Sequence, residues 1–384
     1  MTIDYIDSQE ALEACCQQFL HSRFLCIDTE FHRETTYYPE LALIQLGDGQ
    51  HTACIDPLPL HDFEPLLELF RNTNIIKVFH AAGQDLEIFH NDFGCLPDPI
   101  FDTQIAATLL GYGEQIGYAA LVKTCLDIEL DKSQTRTDWM KRPLNAKQLE
   151  YAANDVIYLA QLFPDMEQKL RALGRLDWLA EDFALLSQNQ NYLIDMDNIW
   201  RKTKGHQRLR GQQLAILQQL SSWRESTAVD RNRPRRRILP DDALIDLAMQ
   251  KPTQPEQIRA LRSLNRFRLN EDDTGQLIEC INRGLAKDRN DWPQLAKKFK
   301  LRPQQDALVD TLQALLKLNA LQHDINPSSL ASRKHLEALV TGERDLELLK
   351  GWRKQHGGQQ LVEFLDGKLS LSSQQGKLVV QQNG

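Results

Sequence analysis

Two acids one position apart, Asp28 and Glu30, are the first residues of this sequence whose types and spacing suggest chemistry. They end a short apolar run that begins at Phe24, and such a run predicts a buried β-strand. Residues i and i+2 of a strand point to the same face, roughly 7 Å apart, where two carboxylates repel each other unless a cation lies between them. The pair indicates a metal site. A strand leaving the core, or a turn capped by Asp28, is the alternative.

Two further acids, Asp85 and Asp155, lie at predicted helix positions. Asp85 falls in the first turn of a helix, at the edge of the sheet where open α/β folds bind ligands; interaction with the helix dipole is the alternative. Asp155 lies four residues after Tyr151, which places both side chains on one helix face. An aromatic residue at this spacing is also typical of a core.

A strand pair, a helix start and a helix face can be brought to one point by a single α/β domain. Carboxylate oxygens suit Mg²⁺ or Mn²⁺, whereas zinc would favour His or Cys. Two such cations about 4 Å apart stabilise the attacking and leaving oxygens of a phosphoryl displacement. The residue types therefore predict metal-dependent phosphoryl chemistry by four acids: Asp28, Glu30, Asp85 and Asp155.

The elements that must position these acids are strands followed by alternating helices and strands. After an amphipathic helix over the first twenty residues, the sequence predicts strands over 24–31, 41–47, 52–56 and 75–79, with a helix over 63–71. Asp102 is expected to cap a further helix. This pattern is typical of an α/β domain with a mixed sheet and helices on its faces.

Length and composition are those of a globular protein with two or three domains. Of the 384 residues, 42% are apolar and 26% are charged. No apolar run is long enough to span a bilayer, and the N-terminus lacks the features of a signal peptide. The seven cysteines have irregular spacings that fit neither a zinc site nor a disulfide framework. We therefore expect a cytoplasmic protein with buried thiols.

The net charge of −8 conceals an acidic half and a basic half. Residues 1–200 carry 13 Lys and Arg against 32 Asp and Glu, whereas residues 201–384 carry 32 against 21. A basic band indicates a polyanionic partner, and a solvated helix face with an Arg-rich loop is the alternative. The candidate contacts in this band are Lys202, Lys204, Arg233, Arg235, Arg236 and Arg237.

The first half also holds candidate contacts for nucleic acid. The polar loop 133–144 contains Trp139, which could stack on a base, and Arg142, which could bind a phosphate. Packing of Trp139 beneath the loop is an equally good interpretation. His80 either contacts the substrate or satisfies a backbone group at its turn. Phe31, directly after Glu30, is the last candidate nucleic-acid contact in the first half of the chain.

Three blocks of the sequence together resemble the exonuclease motifs of the DEDD nucleases. They are residues 28–30, 80–85 and 151–155, in the same order and at similar separations. A Tyr lies four residues before the final Asp, and Glu150 occupies the position at which the other branch has His. The sequence therefore resembles the Tyr-type branch and, within it, the ribonuclease D family, over essentially its whole length.

This resemblance implies an RNase H-like domain that releases nucleoside 5′-monophosphates from the 3′ end of RNA. Transfer RNA precursors are the implied substrate, and a monomer without an organic cofactor is expected. By the same resemblance, Asp28, Glu30, Asp85 and Asp155 hold two divalent ions, Mg²⁺ or Mn²⁺. Tyr151 would position the attacking water, because a tyrosine pKa of about 10 makes it a poor base.

The second half is predicted to be helical and to contain a repeat. Residues 238–247 align with 330–339, and residues 276–279 align with 360–363. The two copies resemble paired HRDC domains, which are small helical bundles. The expected organisation is a catalytic domain at 1–187, a linker at 188–206, a first HRDC domain at 207–290, a second HRDC-like domain at 295–370 and a flexible tail at 371–384.

Two other functions fit the same residues. A DNA 3′-5′ exonuclease of the proofreading type would use the same metal site, which does not detect a 2′-hydroxyl group. A non-catalytic RNA-binding adaptor would keep the fold alone. The presence of all four acids and Tyr151 argues against the adaptor.

Overall fold

A computed structural model describes residues 2–131, 133–134, 137–267, 269–295 and 301–383 of the chain. Within these ranges the chain forms two compact units, each assembled from segments distant in sequence. The first unit comprises Met1–Glu30, Leu41–Asn191 and Phe299–Gly384, and the second comprises Phe31–Glu40 and Tyr192–Lys298. The expected second helical domain, 295–370, includes residues 296–300, which lie outside the described residues.

A mixed sheet organises the first unit. In the described residues its six strands are β1 (Asp4–Ile6), β2 (Phe24–His32), β3 (Glu40–Gly47), β4 (Thr52–Ile55), β5 (Ile76–Phe79) and β6 (Ile100–Asp102). Their spatial order is β1-β4-β3-β2-β5-β6. β3 and β4 are antiparallel, whereas β2 pairs with β5, β5 with β6 and β1 with β4 in parallel. The predicted mixed α/β sheet is confirmed, and β1 lies where only a helix was expected.

Helices cover this sheet. They are α1 (Gln9–Phe19), α2 (Glu64–Arg71), α3 (Gly83–Phe93), α4 (Thr103–Leu109), α5 (Tyr118–Leu126), α6 (Ala146–Ala172) and α7 (Ala180–Leu186). Because helices bury both of its faces, β3 is buried along nearly its whole length. A capping box between Asn145 and Gln148 begins α6, and this start fixes which side chains of α6 face the sheet.

The C-terminal helices belong to the first unit. They are α13 (Pro303–Gln322), α14 (Pro327–Leu330), α15 (Arg333–Val340), α16 (Gly351–Arg353) and α17 (Gln359–Leu365), numbered after the five helices α8–α12 of the second unit. Their apolar residues join one core with those of α4, α5 and α6. Trp352 stacks on Trp178 with ring centroids 5.1 Å apart, and Arg175 donates hydrogen bonds to the carbonyl groups of Leu109 and Asp324. The expected second bundle therefore shares a core with the sheet domain.

The C-terminal segment was expected to be a flexible tail, and the structure instead contains a hairpin there. Its strands are β7 (Leu369–Gln374) and β8 (Lys377–Gln382), which pair antiparallel. Leu371 and Val380 face each other across the ladder and pack against the core of the first unit. Few apolar residues in a Gln- and Ser-rich segment were enough to fold it, because they meet a core already formed elsewhere.

The second unit is helical. Its helices are α8 (Gln212–Asp230), α9 (Arg235–Ile238), α10 (Asp241–Gln250), α11 (Pro255–Arg259) and α12 (Glu271–Ala286). Part of the expected linker at 188–206 belongs to this unit, because Trp200 is buried in its core and the Thr203 hydroxyl is hydrogen bonded to Ser221. None of the helices in the described parts of the chain has the length and apolar character needed to cross a membrane.

Candidate active site

Strand β2 carries the first two acids. Asp28 and Glu30 lie on one face of the strand and are both partly buried, whereas Thr29 between them is buried. The Thr29 hydroxyl donates a hydrogen bond to Oδ1 of Asp85, 2.5 Å away. Thr29 thus ties the β2 pair to the third acid, a role that its sequence position did not reveal.

The turn between β5 and α3 places Asp85 beside β2. Ala81 in this turn has a left-handed φ of 61°. The carboxylate of Asp102 accepts hydrogen bonds from the backbone N–H groups of Ala81 and Ala82, at 3.1 and 2.9 Å. It also caps α4 through Gln104, so the predicted cap is confirmed. Asp102 therefore fixes both the start of α4 and the turn that delivers Asp85.

Helix α6 supplies the remaining predicted residues. Tyr151 and Asp155 lie one turn apart and face a cavity of about 850 Å³ that Asp28 and Glu30 also line. Asp85 lies behind them, only 7% exposed. The described lining of this cavity is Asp28, Thr29, Glu30, His80, Tyr118, Ala119, Leu130, Asp131, Ser133, Gln134, Lys147, Glu150, Tyr151, Asn154, Asp155 and Leu159. The structure thus brings the four acids and Tyr151 together.

The four carboxylates disfavour one another's charge. Burial, followed by the nearby charges of Asp155 and Asp85, raises the pKa of Glu30 to about 8. Burial and the same neighbours raise the pKa of Asp28 well above its usual range. Burial also raises the pKa of Asp155 and of Asp85 to about 7. Such shifts mark a cluster of acids without a compensating positive charge.

The donor set fits divalent cations of the Mg²⁺ class. Across the residues that the structure describes, no lysine or arginine forms an ion pair with Asp28, Glu30 or Asp155. No three His, Cys, Asp or Glu side chains in those residues are arranged as a coordination cluster. The site offers only oxygen donors and an excess of negative charge, which Mg²⁺ and Mn²⁺ would relieve.

Trp139 supports Tyr151 from behind and is not available for stacking on a base. Its side chain is only 5% exposed, and its ring centroid lies 6.1 Å from that of Tyr151. Both rings belong to a small apolar cluster with Ala152 and Leu43. Of the two interpretations of Trp139, the structure agrees with packing beneath the loop.

Arg142 holds the same loop against the sheet and is not free to bind a phosphate. Its guanidinium group pairs with Asp56, 2.7 Å from Oδ1, and donates to the carbonyl groups of Ala42 and Trp139 at 2.7 and 2.6 Å. All three nitrogen atoms of the guanidinium group therefore donate hydrogen bonds within the protein. Residues 135 and 136 of the loop lie outside the described residues.

His80 and Tyr118 brace the far side of the cavity. The ring nitrogens of His80 lie 3.0 Å from the Thr103 hydroxyl and 3.0 Å from the Ile116 carbonyl, so the backbone group that His80 contacts lies outside its own turn. His80 also lines the cavity, and its contact with the substrate stays a prediction. Tyr118 lies beside His80 and donates to the carbonyl group of Asp155 at 2.5 Å. No sequence motif marks Tyr118, because its role depends on a helix 37 residues away.

The basic residues of the second unit divide into two groups. Arg233, Arg236 and Arg237 are exposed on or beside α9, and we call these three the arginine cluster. Arg235 instead pairs with the buried Glu225 at 2.8 Å, and the Tyr37 hydroxyl donates to the same carboxylate. The remaining candidates of this unit are Lys202 and Lys204, which are exposed, and Phe31, which is partly buried.

Comparison with known proteins gives two family matches. The 3′-5′ exonuclease family matches residues 3–171, and the HRDC domain family matches residues 213–272. A ribonuclease D of Bartonella henselae is 37% identical over 374 residues, which cover 97% of this chain and 92% of the relative. A ribonuclease D of Sphingobium indicum is 38% identical over 377 residues and is covered to 97%, as is this chain.

Solved structures show the same similarity. The crystal structure of Escherichia coli RNase D, described as an exoribonuclease involved in structured RNA processing, has a TM-score of 0.83 and 30% identity to this chain. The match covers 96% of this chain and 99% of that one. The catalytic core of RRP6 from Trypanosoma brucei has a TM-score of 0.57 at 21% identity, over 74% of this chain and 80% of that one, which is a similarity of fold alone.

Proposed function

Because the chain belongs to the ribonuclease D family, it is a 3′-5′ exoribonuclease, and we propose that the five residues gathered at the cavity carry out the hydrolysis. Enzymes of this exonuclease family depend on divalent metal ions. In this proposal Asp28, Glu30, Asp85 and Asp155 hold two such ions, Mg²⁺ or Mn²⁺. The supporting observation is that Asp28, Glu30 and Asp155 line one cavity with the buried Asp85 behind them, and that none of the four pairs with a basic side chain in the described residues.

The metal ions would stabilise the negative charge that develops on the attacking and leaving oxygens. Within the chain, Asp28 and Glu30 face the cavity from β2, and Asp155 faces it from α6. Asp85 is fixed by the Thr29 hydroxyl, so its free oxygen is held in one orientation. Rigid carboxylates of this kind lower the barrier because they need no reorganisation during the reaction.

Tyr151 has the position expected of a group that orients water. It lines the cavity one helical turn from Asp155, and its ring is held by Trp139 on the side away from the cavity. A phenol with a pKa of about 10 keeps its proton at neutral pH. We propose that the Tyr151 hydroxyl positions the attacking water by a hydrogen bond and that it is not the general base. This assignment corresponds to the Tyr-type branch.

The products of this hydrolysis would be nucleoside 5′-monophosphates. The cavity volume of about 850 Å³ is within the range of roughly 300–1,000 Å³ that is usual for small-ligand sites, which suits one or two nucleotides at the 3′ end of a strand. We propose precursors of transfer RNA as the substrate, a monomer as the active form and the cytoplasm as its location.

The second unit would hold the body of the RNA. The arginine cluster on α9, together with Lys202 and Lys204, provides exposed positive charge of the kind that binds phosphates. The HRDC match falls on this unit. We further propose that the C-terminal helices are a second, divergent HRDC-like domain, on the basis of the sequence repeat.

A cleavage assay tests the catalytic proposal directly. Purified protein is incubated with an RNA hairpin that has a single-stranded 3′ tail, in Mg²⁺ or in EDTA. We expect stepwise shortening from the 3′ end in Mg²⁺ alone. Asp155→Asn should lower the rate on the order of 10²–10³-fold or more, because a neutral amide would hold the proposed metal ions less well and the charge stabilisation that they supply would be lost.

The matched control is Asp165→Asn on the same helix. Asp165 is half-exposed and pairs only with the exposed Lys169 in the described residues, so this variant should keep full activity. Equal activity of Asp155→Asn and the wild type would contradict the proposed site. Faster shortening of a DNA strand of the same sequence would contradict the assignment of RNA as the substrate.

A further inference from the structure

The acid-rich cavity has one lysine among the described residues that line it. The wall that α6 contributes consists of Lys147, Glu150, Tyr151, Asn154, Asp155 and Leu159. Counted from Lys147 as i, these residues lie at i+3, i+4, i+7, i+8 and i+12, so they form a single face of the helix. Among the described residues that line the cavity, Lys147 is the one lysine or arginine. Its positive charge contrasts with the negative charges of the acids that line the same cavity.

Lys147 has no task in holding the fold together. It is exposed in the first turn of α6, and it forms neither an ion pair nor a side-chain hydrogen bond with any described residue. Glu150, one turn further along, lines the same wall without pairing with it. A lysine that faces a substrate cavity and has no described partner retains its donors for the substrate.

The position of Lys147 along α6 indicates which part of the substrate it meets. Lys147 lies eight residues before Asp155, which corresponds to roughly 12 Å along the helix axis. The flexible four-carbon stem of a lysine spans part of that distance. The ammonium group can thus reach a phosphate neighbouring the one held by the acids, without entering the cluster of acids itself.

We propose that Lys147 binds the RNA phosphate immediately 5′ of the scissile phosphate. This inference rests on the proposed function, since the acids define the scissile position. The departing 3′-terminal nucleotide carries no phosphate beyond the scissile one, so a second phosphate within the cavity must lie on the 5′ side. Lys147 would fix the register of the strand, and it is a substrate-binding residue rather than a metal ligand.

A contact with this neighbouring phosphate is present before and during the reaction. Its loss should raise KM and leave kcat nearly unchanged, because uniform binding is lost. For Lys147→Met we expect KM to rise about tenfold and the slope of log affinity against log salt to fall by about 0.7, the value for one phosphate contact on a single strand. Lys147→Arg should restore most of the affinity.

The decisive experiment removes charge from each partner in turn. The wild type and Lys147→Met are compared on a single-stranded RNA and on the same RNA with an uncharged methylphosphonate linkage directly 5′ of the scissile linkage. Each change alone should raise KM by the same factor. The two changes together should raise KM no more than either change alone. A methylphosphonate placed six linkages upstream serves as the substrate control, and Lys169→Met on the same helix serves as the protein control.

Two readouts separate this inference from the proposed function. KM and kcat are measured in Mg²⁺, and equilibrium binding is measured in EDTA by fluorescence anisotropy, where no cleavage is needed. Losses that multiply, or an unchanged KM in Lys147→Met, would overturn the phosphate contact. A wild type that shows no cleavage but retains a Lys147-dependent binding loss would instead overturn the catalytic proposal and leave the contact standing. Thermal melting confirms that each variant is folded.

Discussion

The acid-lined cavity of the first unit and the arginine cluster of the second unit are charged regions built in opposite ways. The acids come from β2, α3 and α6 and are largely buried, and their pKa values are raised. The three arginines lie within the five-residue stretch 233–237, on or beside one short helix, and are exposed. The first region depends on distances between elements, whereas the second depends mainly on how many charges it presents.

This difference predicts how each region responds to substitution. A buried group acts in a medium of low effective dielectric constant, so the removal of one atom has a large effect. Exposed charges are screened by salt and contribute additively. Single changes should therefore be severe in the cavity and mild in the arginine cluster.

Among changes that keep all four acids, the largest effect is expected for Tyr151→Phe. The change removes one hydroxyl group and keeps the ring that packs against Trp139. We expect kcat to fall on the order of 10²-fold, which is the lower range for the loss of a positioned proton-handling group, with little change in RNA affinity. Single-turnover cleavage with saturating enzyme measures it. If kcat were unchanged, Tyr151 would be only a core aromatic residue.

A second effect concerns metal and pH. The raised pKa values of Glu30, to about 8, and of Asp155, to about 7, mean that protons compete with metal below these values. We expect the Mg²⁺ concentration for half-maximal cleavage to rise at least about tenfold from pH 8.5 to pH 6.5, since below its pKa the deprotonated fraction of a carboxyl group falls roughly tenfold for each pH unit.

The same shifts predict the stability of the metal-free protein. The native acids bind protons more tightly than the unfolded chain, whose carboxyl pKa values are about 4. This contribution to stability is therefore greatest below about pH 4, decreases as the pH rises above that value, and is lost once the pH has passed through about 7–8. In EDTA, the melting temperature should therefore fall as the pH rises to 8. Added Mg²⁺ should make this fall smaller at pH 8. If the melting temperature in EDTA rose over this pH range in both Glu30→Gln and the wild type, the assignment of raised pKa values to these acids would be contradicted.

The smallest effect per residue is expected for the arginine cluster. Replacement of Arg233, Arg236 and Arg237 by Gln should lower the slope of log affinity against log salt by about 2, since each phosphate contact contributes roughly 0.7 on single strands. The kcat on short RNA should not change. Three exposed lysines of the first unit, Lys317, Lys334 and Lys354, provide a charge-matched control. An unchanged slope would make the cluster a solvated surface.

Arg235 sharpens this comparison because it lies within the same run of sequence. It pairs with Glu225, whose side chain is buried, so Arg235→Gln should reduce the stability of the second unit by about 1–3 kcal/mol. This range lies below that for a fully buried pair, because the arginine is partly exposed. Arg233→Gln, measured in the same thermal melts, should have no such effect. Equal melting temperatures would remove the distinction between the two arginines.

The sequence predicted which residues come together at the cavity better than it predicted what surrounds them. Asp28 and Glu30 are out of place in an apolar strand, and Tyr151 and Asp155 share a helix face by spacing alone, so local pattern was sufficient. Trp139 and Arg142 are also polar or aromatic residues in a polar loop, yet one is buried beneath it and the other is bonded to Asp56. Residue type in a loop does not indicate which side of the loop a side chain occupies.

The sequence alone predicted most elements of the sheet domain, the set of candidate acids and the family, because periodicity and motif spacing are properties of neighbouring residues. It did not predict β1 or the hairpin of β7 and β8. Only the tertiary structure decided the raised pKa values of the acids, the bracing of Asp155 by Tyr118, and the shared core of the C-terminal helices with the sheet domain. These features depend on burial and on partners far along the chain, such as the 37 residues between Tyr118 and Asp155. Free energies of burial and of charge depend on what lies within a few ångströms in space, and the chain order does not specify that.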